Sequence, residues 1–295
     1  MPASNARALE KARTLPADVV IFDLEDAVAP DAKESARAMA CAASRSGGYG
    51  HREIVIRVNG PLTAWGETDL AAVAGSGAHA ILLPKVEDPE GVRQALRVLA
   101  AHGSPETLAV WCMLETPRAI LRAETIGAAS PRVAALVMGT SDLTKDLRAR
   151  HTRDRHALVT SLGLCVLAAR AHGLAALDGV HLDLDDEAGF TAACRQAREM
   201  GFDGKTLIHP KTIGLANEIF APSAEELAWA RKVMAAHAEA AAQGKGVVVV
   251  DGRLAENLHV EEAQRLVALA GAIEERDAPS PGACPPTIAT RSTAS

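Results

Sequence analysis

The chain has 295 residues, with 31 Lys and Arg against 37 Asp and Glu for a formal charge of −6, and it is 48% hydrophobic but only 3% aromatic. That length suits one large α/β domain or two modest ones, with a core filled by Ala, Val, Leu and Ile, and it excludes a disordered polyelectrolyte. A mildly acidic chain without basic runs argues against nucleic acid as a partner. No apolar run reaches the ~18–20 residues of a membrane span and no signal-peptide pattern opens the sequence, so no membrane partner is expected.

Compact runs rich in Val, Ile and Leu recur at 19–24, 54–58, 80–83, 108–114, 134–138, 175–180 and 206–208. Near-continuous apolar character predicts strands buried on both faces. Helical patterns with start signals separate them. Asp88-Pro89 and Thr116-Pro117 each pair an N-cap residue with Pro at the first helical position, and Ser223 with Glu226 forms a capping box. Such alternation predicts a parallel sheet with crossover helices, open or closed into a barrel. Neither GxGxxG nor GxxxxGK[ST] occurs. Ionisable or polar residues end nearly every strand: Asp23, Glu25 and Asp26, then Arg57 and Asn59, Lys85, Glu115, Asp142 and His209. A barrel gathers all its strand ends at one mouth, and this pattern favours a barrel. Seven strands are countable where a (β/α)8 barrel needs eight.

Beyond the repeat, 223–244 predicts a long Ala-rich helix, 246–252 a hairpin, and 257–275 a second helix. The expected organisation is a barrel over 1–220, a helical extension over 221–276 and a disordered Pro/Ser/Thr-rich tail over 277–295. The five cysteines, Cys41, Cys112, Cys165, Cys194 and Cys284, are scattered without a CxxC. Four lie in apolar segments and read as small core residues, pointing to the reducing cytoplasm.

Glu115 and Asp142 end two strands with no His or Cys cluster nearby, and two converging carboxylates suit a hard cation such as Mg²⁺. The alternative is two solvated loop acids, or acids paired with Arg57 or Lys85. Asp23, Glu25 and Asp26 crowd one strand end, where they could order metal-bound waters or instead cap a helix and pair with Lys33. Arg57 stands among apolar neighbours and needs a partner, either a substrate carboxylate or a structural one. Lys85 is a weaker case of the same kind. His209 reads as a structural histidine, and the acidic loop with His181 and Asp183 as a helix cap at Asp185. No nucleophile elbow or Ser-His-Asp spacing supports a nucleophilic hydrolase.

Several stretches carry a resemblance together: VVIFDLEDAVAP at 19–30, IRVN at 56–59, LLPK at 82–85, LETP at 114–117 and FDGKTLIHP at 202–210. In this order, and in register to about residue 270, they resemble the citrate lyase β-subunit-like acyl-CoA lyases. This is the HpcH/HpaI aldolase family, with its malyl-CoA and citramalyl-CoA lyases. The resemblance implies a TIM-type (β/α)8 barrel with a C-terminal helical extension. The implied reaction is Mg²⁺-dependent retro-Claisen cleavage of a carboxylated 3-hydroxyacyl-CoA into a 2-oxo acid and an acyl-CoA. It makes Glu115 and Asp142 the metal ligands, Arg57 a substrate-binding and catalytic group, and Asp23, Glu25 and Asp26 the holders of metal-bound water; Lys85 is a substrate-binding candidate by its place at a strand end alone. Arg7 and Lys11 fall where the family contacts CoA phosphates. A C-terminal segment from a neighbouring subunit offers a catalytic Asp in the family; the aligned residue here is Glu256, with Leu258 where Pro is common. The expected partners are an acyl-CoA thioester and further copies of the chain, in a trimer or hexamer. The stretch 160–163 also lacks an Arg found before the Ala-Ala-Arg170 helix. Relatives carry a first strand ending in a Pro turn, and Met1-Pro2-Ala3-Ser4 resembles the segment just after that strand, so the uncounted strand is the first. A thioesterase in the same site, an aldolase on free oxo acids and a non-catalytic barrel are the competing readings.

Overall fold

The computed structural model describes residues 1–242 and 247–277, which fall into two units, one formed by Met1–Phe220 and one beginning at Ala221. The hairpin's first residue and, from 278 on, the tail expected to be disordered lie within 243–246 and 278–295, outside the described residues; Asp277, the first residue of that expected tail, is helical instead.

The first unit carries β1 (Val19–Asp23), β2 (Glu53–Arg57), β3 (Ala80–Leu83), β4 (Ala109–Leu114), β5 (Val133–Met138), β6 (Ala175–Asp178) and β7 (Gly204–Lys205). They form one seven-stranded sheet in chain order, every pairing parallel. Helices pack outside it: α1 (Ala6–Ala12), α2 (Lys33–Ser46), α3 (Gly66–Val73), α4 (Pro89–Ala101), α5 (Pro117–Leu121), α6 (Ala123–Gly127), α7 (Thr140–Asp146), α8 (Val159–Ala171), α9 (Glu187–Met200) and α10 (Ile213–Phe220). The architecture is TIM-like. Residues Met1–Ala3 lie along the edge of β1 away from β2: Asp23 donates its N–H to Met1 O and accepts from Ala3 N, each at 2.9 Å, and Pro2 forms a parallel bridge with Asp23.

Successive strand side chains face opposite ways, and each of β1–β6 feeds two apolar layers. One set, Val55, Ala80, Leu82, Trp111, Met113, Ala135 and Val137, clusters on the inner face with Val19, Ile21, Ala175 and Leu177. The other, including Val20, Phe22, Ile54, Ile56, Ile81, Leu83, Cys112, Leu114, Leu136, Met138 and Ala176, packs under the helices. This double burial is why the strands read as continuous apolar runs.

The start signals act as expected. Asp88 accepts from Gly91 N and Thr116 from Ala119 N, capping α4 and α5. Two local expectations are corrected. The last strand is Gly204–Lys205 rather than 206–208, because Thr206 N already bonds to Asp178 O at 2.9 Å and Ile208 is exposed. The cap of α9 is Asp186, not Asp185; Asp186 accepts from Gly189 N, while Asp183 accepts from the N–H groups of Asp185 and Asp186.

The second unit contains α11 (Ala224–Ala242), an antiparallel hairpin β8 (Val248–Val250) and β9 (Arg253–Ala255), and α12 (Asn257–Asp277). Ser223 and Glu226 exchange the two hydrogen bonds of a capping box. Ala230, Val233, Val250, Ala255 and Ala263 make its own small core. Cys41, Cys112, Cys165 and Cys194 are buried thiols in the first unit.

Candidate active site

The period of two carries directly from core to mouth. Continuing the inner-face positions by two residues at the carboxyl ends brings Asp23 after Ile21, Arg57 after Val55, Glu115 after Met113 and Gly139 after Val137. Charge is thus collected at the carboxyl-end rim of the apolar inner face.

Arg57 sits at the centre of the cluster. Its Nε and Nη2 donate to the two carboxylate oxygens of Asp23 at 2.6 and 2.5 Å, a bidentate pair. Its Nη1 lies 2.9 Å from Glu25 Oε2 and 3.8 Å from Asp26. Arg57 therefore has structural carboxylate partners on each of its donor nitrogens. Burial raises the cost of the Asp23 charge, but the Arg57 hydrogen bonds and charge outweigh it and hold its carboxyl below the usual range. Asp23 also accepts from the N–H groups of Glu25 and Ala27, which turns the chain sharply after β1. The alternative pairing of the acids with Lys33 is not what forms: its Nζ donates to the carbonyl oxygens of Leu24 and Glu25 at 2.8 and 2.7 Å, pinning the acidic loop by its backbone. Asn59 Nδ2 reaches Leu24 O and Asp69, and Asp69 is held in turn by Arg37.

Lys85 breaks the alternation. By parity it would point away from the mouth, yet its φ of 51° places it in the left-handed region and re-aims the side chain. Its ammonium stands 2.7 Å from Glu25 Oε1, 3.9 Å from Asp26 and 3.6 Å from Asp142. Its backbone N–H donates to Glu115 Oε1 at 2.5 Å. One residue thus touches both acids that sequence reasoning set apart as a pair.

Glu115 is 3% exposed. Burial, reinforced by the charges of Glu25 and Asp142, pushes its carboxyl up to about 7 against the pull of Lys85. Gly139 lies flat against it, and a Cβ there would come within 2.7 Å of Glu115 Oε2. Asp142, on the first turn of α7, is one-third exposed. The Glu25 carboxyl is also raised, by burial and by Asp26, and its buried Oε2, though close to Arg57 Nη1, has no aligned hydrogen bond. Five carboxylates therefore face two side-chain cations, Arg57 and Lys85, in the mouth. Such an excess, in a partly buried site, has room for further positive charge.

The matching family model is that of HpcH/HpaI aldolase/citrate lyase, over residues 1–210. The chain belongs to the HpcH/HpaI aldolase/citrate lyase family. Among curated relatives, a (3S)-malyl-CoA thioesterase of Cereibacter sphaeroides is 49% identical over 92% of this chain and 93% of its own. The citrate lyase subunit beta of Escherichia coli is 34% identical over 92% and 91%. Among solved structures, CitE of Mycobacterium tuberculosis, in complex with magnesium, acetoacetate and coenzyme A, is similar at a TM-score of 0.76. It is 32% identical, over 92% of this chain and 96% of that one.

The remaining candidates make none of the ion pairs described above. Arg7 and Lys11 are exposed on α1. Glu256 belongs to the second unit, where its N–H meets His259 Nδ1 at 3.1 Å just before α12. His209 caps a short 3-10 turn by accepting from Lys211 N, in keeping with the structural reading.

Sequence reasoning missed a second ionic group. Asp178, fully buried, accepts from Arg155 Nη1 at 2.9 and 2.8 Å and from Lys205 Nζ at 2.6 Å. Asp178 comes directly after inner-facing Leu177, so it points outward beneath the helices. The signal was present: an acid inside an otherwise apolar run must find a partner.

Proposed function

We propose that the protein is an enzyme acting with Mg²⁺ on a carboxylated 3-hydroxyacyl-CoA of the malyl-CoA type, releasing free CoA by thioester hydrolysis. The observation that carries the Mg²⁺ and substrate assignment is the mouth itself, where five carboxylates meet the side-chain cations of Arg57 and Lys85. The choice of hydrolysis rests on the 49% likeness to a protein named as a malyl-CoA thioesterase.

The chemistry of the donors suits the metal: Glu115 and Asp142 offer oxygen only, and because no group of three or more His, Cys, Asp or Glu side chains among the described residues could hold a metal ion by itself, this pair would bind it together with water and substrate. Mg²⁺ characteristically takes one or two carboxylates and keeps sites for water and substrate. Glu115 and Asp142 would hold it, while Asp23, Glu25 and Asp26 order its waters. When bound, it supplies Lewis-acid polarisation and a template for a carboxylate and hydroxyl. Arg57, locked by Asp23, presents a fixed cation that favours a carboxylate and resists reorganisation as negative charge develops. Lys85, half-exposed beside Asp142 and paired with Glu25, offers the accessible positive charge that would meet the substrate. Arg7 and Lys11 would meet the CoA phosphates, so replacing either by Ala raises KM for the thioester and leaves free acids unaffected.

A second reading, retro-Claisen cleavage, is supported by the 34% likeness to citrate lyase subunit beta. In it a base removes the 3-hydroxyl proton, the C2–C3 bond breaks, and a 2-oxo acid and an acyl-CoA enolate leave. Glu256, reached from a neighbouring copy of the chain, is the proposed base. The complete assembly is then a cytoplasmic homo-oligomer, a trimer or hexamer, of (β/α)8-type barrels. The C-terminal extension runs over 221–276. Product analysis with (3S)-malyl-CoA and Mg²⁺ separates the readings. Free CoA and malate without acetyl-CoA is the expected result. Glyoxylate with acetyl-CoA establishes cleavage instead, and no turnover with or without Mg²⁺ overturns both.

A further inference from the structure

The outward-facing ionic group is connected to the mouth through one glycine. Asp178 ends β6, and its carboxylate is shared by Arg155, Lys205 and the N–H of Gly179 at 2.8 Å. Lys205, whose side chain is 1% exposed, also donates through Nζ to the carbonyl of Gly179. The Asp178 carbonyl accepts twice from Thr206, through N at 2.9 Å and Oγ1 at 3.1 Å. The β6 exit is thereby tied through both its side chain and its backbone, and Arg155 is itself steadied by Gln196 of α9 at 2.7 Å.

Gly179 is the face that this clamp presents to β5 and α7. A Cβ on it would stand 2.5 Å from Thr140 Oγ1, 2.6 Å from Thr140 Cγ2 and 2.7 Å from Met138 O. These neighbours are backbone or a β-branched side chain on the first helical residue, neither of which can swing aside. Thr140 is held again by its contact with Val180 O at 3.5 Å and by Thr144 Oγ1 on its carbonyl at 2.7 Å. Immediately before it, Gly139 rests against Glu115; two residues after it, in the same turn, stands Asp142. The pair 139–140 is therefore caught between Gly179 on one side and Glu115 on the other, and it carries Asp142.

We infer that Asp178, Lys205 and Gly179 are positioning residues for the Glu115–Asp142 carboxylate pair, fixing their separation for a divalent cation from outside the mouth. The inference rests on the reading of those two acids as the Mg²⁺ ligands. Supports that orient ligands typically change metal affinity by about 10–100-fold when lost.

The test is calorimetric titration of the full-length protein with Mg²⁺ alone, without substrate. Gly179→Ala is expected to raise the Mg²⁺ dissociation constant about 10- to 100-fold. Lys205→Met, which frees the Gly179 carbonyl while leaving Asp178 paired to Arg155, is expected to raise it several-fold and serves if the glycine variant fails to fold. Leu99→Ala, buried at the end of α4 that leads back to the start of β4 rather than at the carboxyl ends of the strands, supplies an ordinary loss of core packing and is expected to leave Mg²⁺ affinity within about twofold of wild type. Unchanged affinity in the Gly179 and Lys205 variants, or an equal loss in Leu99→Ala, overturns the positioning role while the metal site stands. Failure of the wild-type protein to take up Mg²⁺ overturns the ligand assignment itself, and the positioning role with it.

Discussion

Two ionic clusters stand at the carboxyl ends of the strands, and they are built on opposite principles. The mouth cluster faces inward, carries more acids than bases, and leaves Glu25 Oε2 without an aligned hydrogen bond and Glu115 near neutrality. The Asp178 cluster faces the helices, pairs one acid with Arg155 and Lys205, and is sealed from solvent. Burial there lowers the Lys205 ammonium even as Asp178 supports it. An incomplete cluster can take a ligand, whereas a saturated one can only hold shape. The difference is one of strand parity: inner-face positions continue into the lumen and outer-face positions into the helix layer.

The sharpest way to break the comparison is to remove an acid from each side. Glu115→Ala is expected to cost about a thousandfold in turnover, equivalent to ~4 kcal/mol of transition-state stabilisation, while metal-free Tm stays within a few degrees. Loss of turnover below about tenfold in steady-state assays with Mg²⁺ would remove Glu115 from the metal site. Asp178→Leu should do the reverse and act on stability first. It strands Arg155 and Lys205 in a buried layer, and breaking such a pair costs about 3–5 kcal/mol, read as a fall in the urea midpoint. A smaller change would mean that water reaches the cluster.

A finer contrast lies in pH. Glu115 is raised in the folded chain, so between its unfolded value of 4.5 and about 7 the native state binds the extra proton, and this group's contribution to stability falls as pH rises through that window. Glu115→Gln removes the penalty. The metal-free variant is expected to gain on the order of 1–3 kcal/mol over wild type at about pH 8 and little at about pH 5. Equal stability differences at the two pH values, measured by urea unfolding, would show that Glu115 ionises normally. Mg²⁺ binding should release a proton from the wild-type protein below about pH 7 and weaken as pH falls, because the ligand must be deprotonated.

Much of this was legible in the amino-acid order. Continuous apolar runs located six strands to within a residue or two at their carboxyl ends, and the seventh moved upstream because β7 spans only two residues, too few to show a pattern. Caps at Asp88 and Thr116 were readable because an N-cap acts over three residues of local backbone. The candidate acids were visible for the same reason: each stands at or just past the end of an apolar strand. Lys85 was weakly marked, since its left-handed turn is invisible to a pattern of alternation.

The sequence alone determined which residues share a face and that ionisable groups gather at strand ends, because those depend on a period of two and on local capping chemistry. Tertiary structure decided the rest. Arg57 chose Asp23 across 34 positions of sequence, Lys85 met Glu25 across 60, and Lys205 met Asp178 across 27. Pairings of that range depend on sheet register and curvature, and so does the burial that sets the Glu115 carboxyl near 7; neither is a property of any short segment.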